Sequence, residues 1–354
     1  MFLAIKEMKH EKLRYGLMIG MIFLVSYLVF ILTGLSNGLS NLNRAAVDSW
    51  QAQSIVLNKD AQINLPQSVI SNRDRQVLKN KGAQISLLSG LVQNQAGKKD
   101  SAQIVGIKTN QFIFKRLKVT SGTKELHSKQ AIVASAFKTD GFKLGDTLKI
   151  ANTQVKVKIV GFTNNATLNM VPVVYTTPKT VNLAKYDGQQ TTTLVNGVAF
   201  ASKKPTLGTL KDSKLYSAEQ YINKMPGNRA QTLTFNFMIG FLMVIILIVI
   251  AIFLYILTMQ KLPNFGVLKA QGLPTSYLVK NTLLQAALLA VSGVLIALGL
   301  VLITAAILPA IVPIKIQITM ILLSGLAIIG MAMLGALIPV REIIKLDPYQ
   351  IIGG

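Results

Sequence analysis

One short stretch comes close to the glycine-rich loop that cradles nucleotide phosphates. It reads GFKLGDT at 141–147, and Asp146 stands where that loop requires a lysine. The full pattern GxxxxGK[ST] occurs nowhere in the chain. Gly145 and Asp146 together are typical of a turn between strands. The sequence therefore predicts no ATP site of this kind.

The other residues that support catalysis are too sparse to form a site. The chain has no Cys and two His, His10 and His127, which are predicted to lie on opposite sides of a membrane. This arrangement argues against a Ser-His-Asp triad and against histidine-rich metal sites. Carboxylates in the central region are unpaired, which excludes glycosidase chemistry. We predict no catalytic residue, no metal site and no enzyme activity. If the chain works as a pump, its ATPase must be a separate protein.

A basic stretch at 253–280, FLYILTMQKLPNFGVLKAQGLPTSYLVK, separates two long apolar runs. Lys261, Lys269 and Lys280 occur there without an acid, which favours a cytoplasmic position by the positive-inside rule. Pro263 is predicted to break the preceding helix, and residues 272–274 to stop a short amphipathic turn. An ordinary basic loop remains the alternative interpretation.

Composition and apolar runs predict a membrane protein. Hydrophobic residues make up 51% of the 354 and charged residues 14%. Runs of about 20 apolar residues span a bilayer. We predict an integral membrane fold with four transmembrane α-helices, one before and three after an extracellular α+β domain. Both termini are predicted to be cytoplasmic, and the first span to be retained rather than cleaved as a signal peptide.

The predicted boundaries follow from these runs. They are a cytoplasmic amphipathic helix at 1–14, the spans at 15–36, 235–258, 278–308 and 318–340, the extracellular domain with helical stalks at 37–234, a cytoplasmic segment at 259–277, an outer loop at 309–317 and a cytoplasmic tail at 341–354. Two GxxxG pairs, Gly16 with Gly20 and Gly34 with Gly38, give weak support for a permease dimer.

The segment between the first two spans is predicted to fold as its own α+β domain. Eight β-rich runs lie between turn signals: 54–57, 84–88, 102–107, 131–135, 147–150, 155–162, 171–176 and 194–201. Helices are predicted at 74–81 and 217–224, the latter with Ser217 as its cap.

The positive charge is carried largely by this domain. The formal net charge is +23, and residues 44–229 hold 27 Lys and Arg against 10 Asp and Glu. The lysines are scattered among polar residues without stacking aromatics, which disfavours nucleic acid as a partner. We interpret them as a solvated surface that faces an anionic wall or lipid headgroups.

Four segments resemble a known family. They are LTMQKLPNFGVLKAQGLPTSYLV at 257–279, AIVASAFKTDGFKLGDTLKIANTQVKVKIVGF at 131–162, KLDPYQIIGG at 345–354 and LAIKEMKHEKLRYGLMI at 3–19. Together with the layout of one span, a large domain and three spans, they resemble the FtsX-like, macrolide-exporter-type ABC permeases. The first residues are most similar to the permeases of bacterial haem-efflux pumps.

The resemblance implies a homodimer of permeases in the cell membrane, driven by two copies of an ABC ATPase that carries ATP and Mg²⁺. It implies that the N-terminal helix and residues 259–274 dock this ATPase, whose closure moves the external domains by mechanotransmission. Coupling residues would be Lys261, Phe265, Gly266, Leu268, Lys269 and Gly272. This chain departs from the family at Asn264, where an acid is usual.

The resemblance also implies haem, or a similar amphipathic toxic compound, as substrate, with no cofactor bound by this chain. In the haem pumps the substrate is taken laterally from the outer leaflet. Candidate contacts are Phe30, Arg44, Met170, Tyr175, Arg229, Phe235 and Met238. The arginines would pair with propionates, and Tyr175 or Met170 could ligate iron. Related functions are a peptide or lipoprotein transporter, or a signal transmitter that controls a cell-wall hydrolase.

Overall fold

The computed structural model describes residues 6–8, 10–150, 153–186, 194–308 and 312–346. The chain divides into a helical unit, residues 1–38 with 232–354, and a sheet unit, residues 39–231. The α-helices are α1 (Lys12–Trp50), α2 (Asn72–Val77), α3 (Phe112–Arg116), α4 (Ala136–Thr139), α5 (Pro178–Tyr186), α6 (Ala218–Lys224), α7 (Asn228–Ala270), α8 (Thr275–Ile307), α9 (Ile318–Gly335) and α10 (Leu337–Lys345).

The helical unit contains four segments that are long and apolar enough to cross a membrane. They are α1, α7, α8 and the α9–α10 segment. Their buried faces share one core, to which Tyr15, Ile22, Ile250, Leu289 and Ile328 contribute. Other apolar side chains of the same helices are exposed, as expected for surfaces that face lipid tails.

Small residues bring these helices close together. A Cβ on Gly335 would lie 2.6 Å from the carbonyl oxygen of Leu247, so α9 approaches the backbone of α7. A Cβ on Gly293 would lie 2.6 Å from the Ile22 side chain and 3.1 Å from the backbone nitrogen of Phe23, so α8 likewise approaches the backbone of α1. Close backbone approach of this kind is how helices associate in lipid without a hydrophobic driving force.

The predicted helix break at Pro263 is wrong, because α7 continues through this residue to Ala270. Proline removes one backbone N–H and usually kinks a helix. Here the turns on either side are held by packing, since Leu262, Phe265 and Leu268 contact a buried cluster that includes Leu278. Tertiary packing therefore overrides the local breaking tendency. The predicted stop is confirmed, because Gly272 has φ +91° and its N–H donates to the carbonyl of Lys269 at 3.1 Å.

The last predicted span, 318–340, is interrupted. Helix α9 ends at Gly335, and α10 begins at Leu337 after Ala336. Pro339 explains this interruption, because a proline ring clashes with the carbonyl four residues earlier, here that of Gly335. Pro339 instead lies in the first turn of α10, where its missing N–H costs little.

The sheet unit confirms the predicted α+β class. Its strands are β1 (Ser54–Asn58), β2 (Ala83–Gln93), β3 (Lys99–Gly106), β4 (Val119–Gly122), β5 (Gln130–Ala134), β6 (Thr147–Ile150), β7 (Lys156–Thr163), β8 (Thr167–Leu168), β9 (Val171–Thr176), β10 (Gly197–Phe200) and β11 (Ser213–Ser217). All eight predicted strands and both predicted helices are present, although α2 ends at Val77 rather than at 81.

Six strands close into a ring. Strand β2 pairs with β3, β3 with β9, β9 with β5, β5 with β7, and β6 joins β7 back to β2. The β3–β9 and β5–β7 pairs are parallel, and the others are antiparallel. Strands β10, β1 and β11 extend from β2 as an antiparallel sheet. The alternation along each strand fills the core with apolar side chains, among them Ile104, Val133 and Val174.

The loop at 141–147 is a turn, as predicted, although it joins α4 rather than a strand to β6. Gly145 has φ +88°, and the N–H of Lys143 donates to Oδ2 of Asp146 at 2.8 Å. The Asp146 carboxylate therefore holds the turn together.

Candidate coupling site

Four polar side chains from three parts of the helical unit form one hydrogen-bonded network. Nζ of Lys261 in α7 lies 3.2 Å from Oε2 of Glu7 and donates to the Tyr15 hydroxyl at 3.2 Å. That hydroxyl donates to Oε1 of Gln285 in α8 at 3.3 Å, and Nε2 of Gln285 donates to Glu7. We call Glu7, Tyr15, Lys261 and Gln285 the base network. It joins the N-terminal residues to α7 and α8.

Burial makes the base network stronger than a surface ion pair. The side chains of Lys261 and Glu7 are 13% and 21% exposed, and Tyr15 and Gln285 are buried. Charge pairs removed from water lose hydration, so they are favourable only when further hydrogen bonds complete them. The Tyr15 hydroxyl and the Gln285 amide supply these bonds.

A cavity of about 640 Å³ opens beside the base network. Its walls come from the N-terminal residues and from the last turns of α7: Lys6, Glu7, His10, Glu11, Arg14, Gln260, Lys261, Asn264, Phe265 and Leu268. Arg14 crosses between the two walls, since its Nη1 lies 3.3 Å from Glu11 and donates to Gln260 at 2.7 Å. The cavity thus has charged walls of both signs and an apolar patch at Phe265 and Leu268.

A small apolar cluster lies behind the cavity. Phe265 is 4% exposed and packs with Leu278, Ile343 and Leu346. Nζ of Lys269 donates to the carbonyl of Leu346 at 2.6 Å. The end of α7 is therefore tied both to α8 and to the residues that follow α10.

The predicted coupling residues divide into three groups. Lys261, Phe265 and Leu268 line the cavity. Lys269 contacts Leu346 instead, and Gly272 forms the turn that ends α7. Gly266 is buried in α7. Asn264, where the resemblance led us to expect an acid, is exposed and lines the cavity.

The sequence did not single out Glu7, Tyr15, Glu11, Arg14 or Gln285 as contributors to this site. Two signals were present. Charged residues on the N-terminal segment recur at helical spacing, and Asn281, Thr282 and Gln285 place polar groups on one face of an otherwise apolar helix. All three of those α8 residues are buried.

The candidate substrate residues lie in both units. In the helical unit, Phe30 is 1% exposed and part of the helix core, whereas Phe235 is half-buried and Met238 is 41% exposed. Phe30 contacts the region of Gly325, so it packs between helices. Only Phe235 and Met238 of these three present surface to a ligand.

In the sheet unit, Arg229 is exposed, and Met170 is 43% exposed at the tip of the β8–β9 hairpin. Arg44 is half-exposed and pairs with Asp48 at 2.9 Å. Tyr175 is fully buried, and its hydroxyl accepts a hydrogen bond from Nε1 of Trp50 at 3.0 Å.

Burial raises the pKa of Tyr175 to about 12, and the Trp50 hydrogen bond lowers it only in part. The phenol therefore stays protonated, whereas iron binds phenolate. Tyr175 is a core residue of the sheet unit and not an accessible ligand. Among the described residues, no group of three or more His, Asp or Glu side chains could hold a metal ion.

Four apolar spans and a mixed α+β unit inserted after the first of them define a multi-pass membrane protein with an extracellular domain. Residues 236–348 match the family described as FtsX-like permease C-terminal. The predicted family resemblance is confirmed: residues 236–348 form an FtsX-like permease domain, the type found in permeases of ABC transporters.

Several relatives match along the full length, among them the following two. A putative hemin transport system permease protein HrtB of Staphylococcus haemolyticus is 24% identical over 358 residues, covering 100% of this chain and 99% of that protein. An uncharacterized ABC transporter permease of Mycobacterium tuberculosis is 22% identical over 361 residues, with coverage of 100% and 99%.

Several solved structures resemble part of the chain, among them the following two. The periplasmic region of MacB from Actinobacillus actinomycetemcomitans gives a TM-score of 0.34 at 14% identity, covering 48% of this chain and 89% of that one. The extracellular domain of the transporter YknZ from Gram-positive bacteria gives 0.30 at 15%, covering 42% and 81%.

Proposed function

We propose that this chain is the permease subunit of an ABC exporter driven by a separate ATPase, and that it extrudes haem or a similar amphipathic compound. The observation that carries the first part is the cavity between the N-terminal residues and the end of α7. Its charged walls and the apolar patch at Phe265 and Leu268 suit a protein partner. The proposal places this face and both termini in the cytoplasm, in agreement with the lysines on the α7–α8 connection.

In the proposed cycle, two permeases form a dimer in the lipid bilayer with two ATPase subunits. ATP-driven closure of the ATPases would pull on α7 through the cavity and on the N-terminal residues through the base network. Because Lys261 links Glu7 to Tyr15, α1 and α7 would move together. This coupling supports a mechanotransmission cycle.

A bulky side chain in the cavity tests whether the ATPase docks there. Asn264→Trp places a large side chain in the exposed cavity wall, and Lys345→Trp places the same side chain on an exposed residue of α10, outside both the cavity and residues 259–274. We expect Asn264→Trp to abolish co-purification with the partner ATPase, and Lys345→Trp to leave it intact. Equal co-purification of both variants, at equal membrane levels, would show that the ATPase docks elsewhere.

Lys269→Glu tests the end of α7 at a residue that does not line the cavity. The substitution breaks the hydrogen bond to Leu346 and places an acid against a carbonyl oxygen. We expect loss of export with partial retention of ATPase binding, because the cavity walls remain in place. Wild-type export would remove Lys269 from the coupling assignment.

The proposal of haem as substrate rests on the names of full-length relatives, on the exposed Arg229 and Met238 and on the half-buried Phe235. We expect the purified complex to give a Soret band with added haemin, and deletion of the chain to sensitise cells to haemin. Arg229→Gln should weaken the Soret titration, and Arg73→Gln, an equally exposed arginine, should not.

Other outcomes select other functions. Absence of the band together with ATPase stimulation by peptides would select a peptide or lipoprotein transporter. Capture of a cell-wall hydrolase on the sheet unit, with unchanged haemin tolerance, would select a signal transmitter.

A further inference from the structure

A line of lysines crosses the outside of the strand ring at the strand that closes it. Gln93 of β2 is the cross-strand partner of both Lys99 in β3 and Lys149 in β6, and Lys149 is directly opposite Lys156 in β7. Cross-strand partners share one face of a sheet. Lys99, Lys149 and Lys156 therefore lie in one row, and Lys158 follows two residues along β7 on the same face. We call these four residues the lysine row.

Alternation along the strands shows that the lysine row faces away from the core. Val92, Leu148, Ile150 and Val157, which neighbour the row in sequence, are buried at 1% exposure or less. Lys99, Lys156 and Lys158 are exposed, and Lys149 is half-buried. The row is thus a solvent-facing surface of the ring.

The row has no counter-charge of its own. None of its four lysines forms an ion pair with another described residue, in contrast to Lys98, which lies 2.9 Å from Asp140. Asp100 follows Lys99 directly and therefore points to the opposite face of β3. Gln93, between Lys99 and Lys149, is neutral, and its Nε2 donates to the carbonyl of Gly97 at 3.1 Å.

Like charges directly opposite each other destabilise a sheet. Lys149 and Lys156 occupy such a pair at the strand that closes the ring. The repulsion is relieved when an anion lies between the two ammonium groups. Neighbouring strands are about 4.8 Å apart, so the row offers positive charges over a line of about 15 Å. Such a line fits a chain of regularly spaced anions better than a single small ion.

We infer that the lysine row binds a linear, flexible polyanion outside the membrane, of the polyol-phosphate type with one phosphate per repeat. The positive charge of the row favours an anion as ligand. Because the lysines lie along a line, they favour a linear polymer over a compact ion. Nucleic acid is disfavoured because no aromatic side chain is interleaved with the lysines in β3, β6 or β7 for base stacking. Binding would hold the extracellular unit at an anionic layer and is independent of the exported substrate.

The test uses the full chain in nanodiscs of zwitterionic lipid with fluorescent poly(glycerol phosphate) as the probe. Lys149→Gln with Lys156→Gln removes the opposed pair, and Lys203→Gln with Lys204→Gln removes two exposed lysines elsewhere. We expect the first double variant to weaken binding at least tenfold and the control less than twofold. The slope of log affinity against log salt should fall by about 1.4 in the first variant, by comparison with single-stranded polyanions.

Three results would overturn the inference. Undetectable binding by the wild-type chain would remove it outright. Equal losses in the two double variants would show a diffuse field of the basic domain rather than a site. A third result is a loss of binding to phosphatidylglycerol vesicles in the first variant with polymer binding unchanged, which would make the row a membrane contact. Thermal unfolding excludes misfolding as the cause: the control should unfold at the wild-type temperature, and the first variant at that temperature or slightly above it, because its opposed charges are removed.

Discussion

Two polar clusters, one in each unit, differ in how completely their hydrogen bonds are formed. In the base network, Lys261 reaches both Glu7 and Tyr15 at 3.2 Å, and Gln285 bonds two partners. In the sheet unit, four amide side chains are buried or half-buried: Asn43 in α1, Asn169 after β8, and Asn228 and Gln231 in the first turn of α7. We call them the stalk amides.

The stalk amides are joined by few bonds. Nδ2 of Asn43 donates to Oε1 of Gln231 at 3.3 Å, and the backbone N–H of Asn169 donates to the Asn43 carbonyl at 3.0 Å. Oδ1 of Asn169, Oδ1 of Asn228 and Nε2 of Gln231 are buried without a partner among the described residues.

A buried polar atom without a partner costs about 1–3 kcal/mol, whereas a completed charged network resists rearrangement. The base network and the stalk amides therefore have different mechanical roles. The base network is built to hold one geometry where force would enter the permease. The stalk amides have spare donors and acceptors, and they can exchange partners at low cost when α1 and α7 move.

The largest effect should come from breaking the base network. Lys261→Met removes the charge that neutralises Glu7 and the donor to Tyr15. We expect the free energy of unfolding to fall by about 2–3 kcal/mol, since Glu7 and Tyr15 are largely buried. Thermal unfolding in detergent would show a fall of several degrees. Lys280→Met, the same change on an exposed lysine, should leave the unfolding temperature within about one degree. If Lys261→Met also left the unfolding temperature within about one degree, the base network would not be the more rigid of the two clusters.

A second test concerns a buried carboxylate in the sheet unit that accepts hydrogen bonds from the backbone. It asks whether these hydrogen bonds stabilise the sheet unit, as those of the base network stabilise the helical unit. The buried Asp74 carboxylate accepts hydrogen bonds from the N–H groups of Lys211 and Asp212 at 3.0 and 2.9 Å. Burial raises its pKa, but these hydrogen bonds outweigh burial, and the pKa lies below the usual value of 3.8. We expect Asp74→Asn to cost about 2 kcal/mol at pH 7.

The pH dependence follows from the sign of that shift. A carboxyl whose folded pKa is depressed stabilises the fold above its unfolded pKa, and this contribution is lost as the pH falls through the folded pKa. The difference in unfolding temperature between wild type and Asp74→Asn should therefore be full at pH 7 and shrink below about pH 4. A difference that stays constant over this range would contradict the assignment.

The smallest effect should come from the stalk amides. Gln231→Leu removes the unpartnered Nε2 but also the Oε1 that accepts from Asn43. These two effects oppose each other, so we expect a change below about 1 kcal/mol in the unfolding free energy. The measurement is the same thermal unfolding, with export assayed in parallel. A loss as large as that of Lys261→Met would mean that ordered water completes the stalk amides, and the contrast between the clusters would disappear.

Much of the fold was predictable because its signals are local. Apolar run lengths predicted the spans, and alternation predicted strands such as Val171–Thr176 within one or two residues. Strands β4 and β11 were missed because VTSG and SKLYS carry little apolar alternation. They are strands because their partners hold them, and β11 pairs with β1 at five positions.

The site was less predictable because most of its contacts join residues that are distant in sequence. Lys261 and Gly272 were identified from a short motif in one segment of chain. The base network joins residues 7, 15, 261 and 285, and no local pattern predicts which polar residues of distant helices meet. The continuity of α7 through Pro263 likewise depends on Ile343 and Leu346, which lie far away in sequence.

The second glycine pair of α1 has a role that its motif did not reveal. A Cβ on Gly38 would lie 1.6 Å from the carbonyl oxygen of Pro313, and the N–H of Lys315 donates to the Gly34 carbonyl at 3.0 Å. Among the residues that the structure describes, no such neighbour lies within 4 Å of a Cβ placed on Gly16 or Gly20. The face of α1 at Gly34 and Gly38 is therefore matched to residues 312–315 of the same chain. In evolution by recombination these two segments must be inherited together, and a chimaera that exchanged the first span alone would carry a mismatch at its outer end.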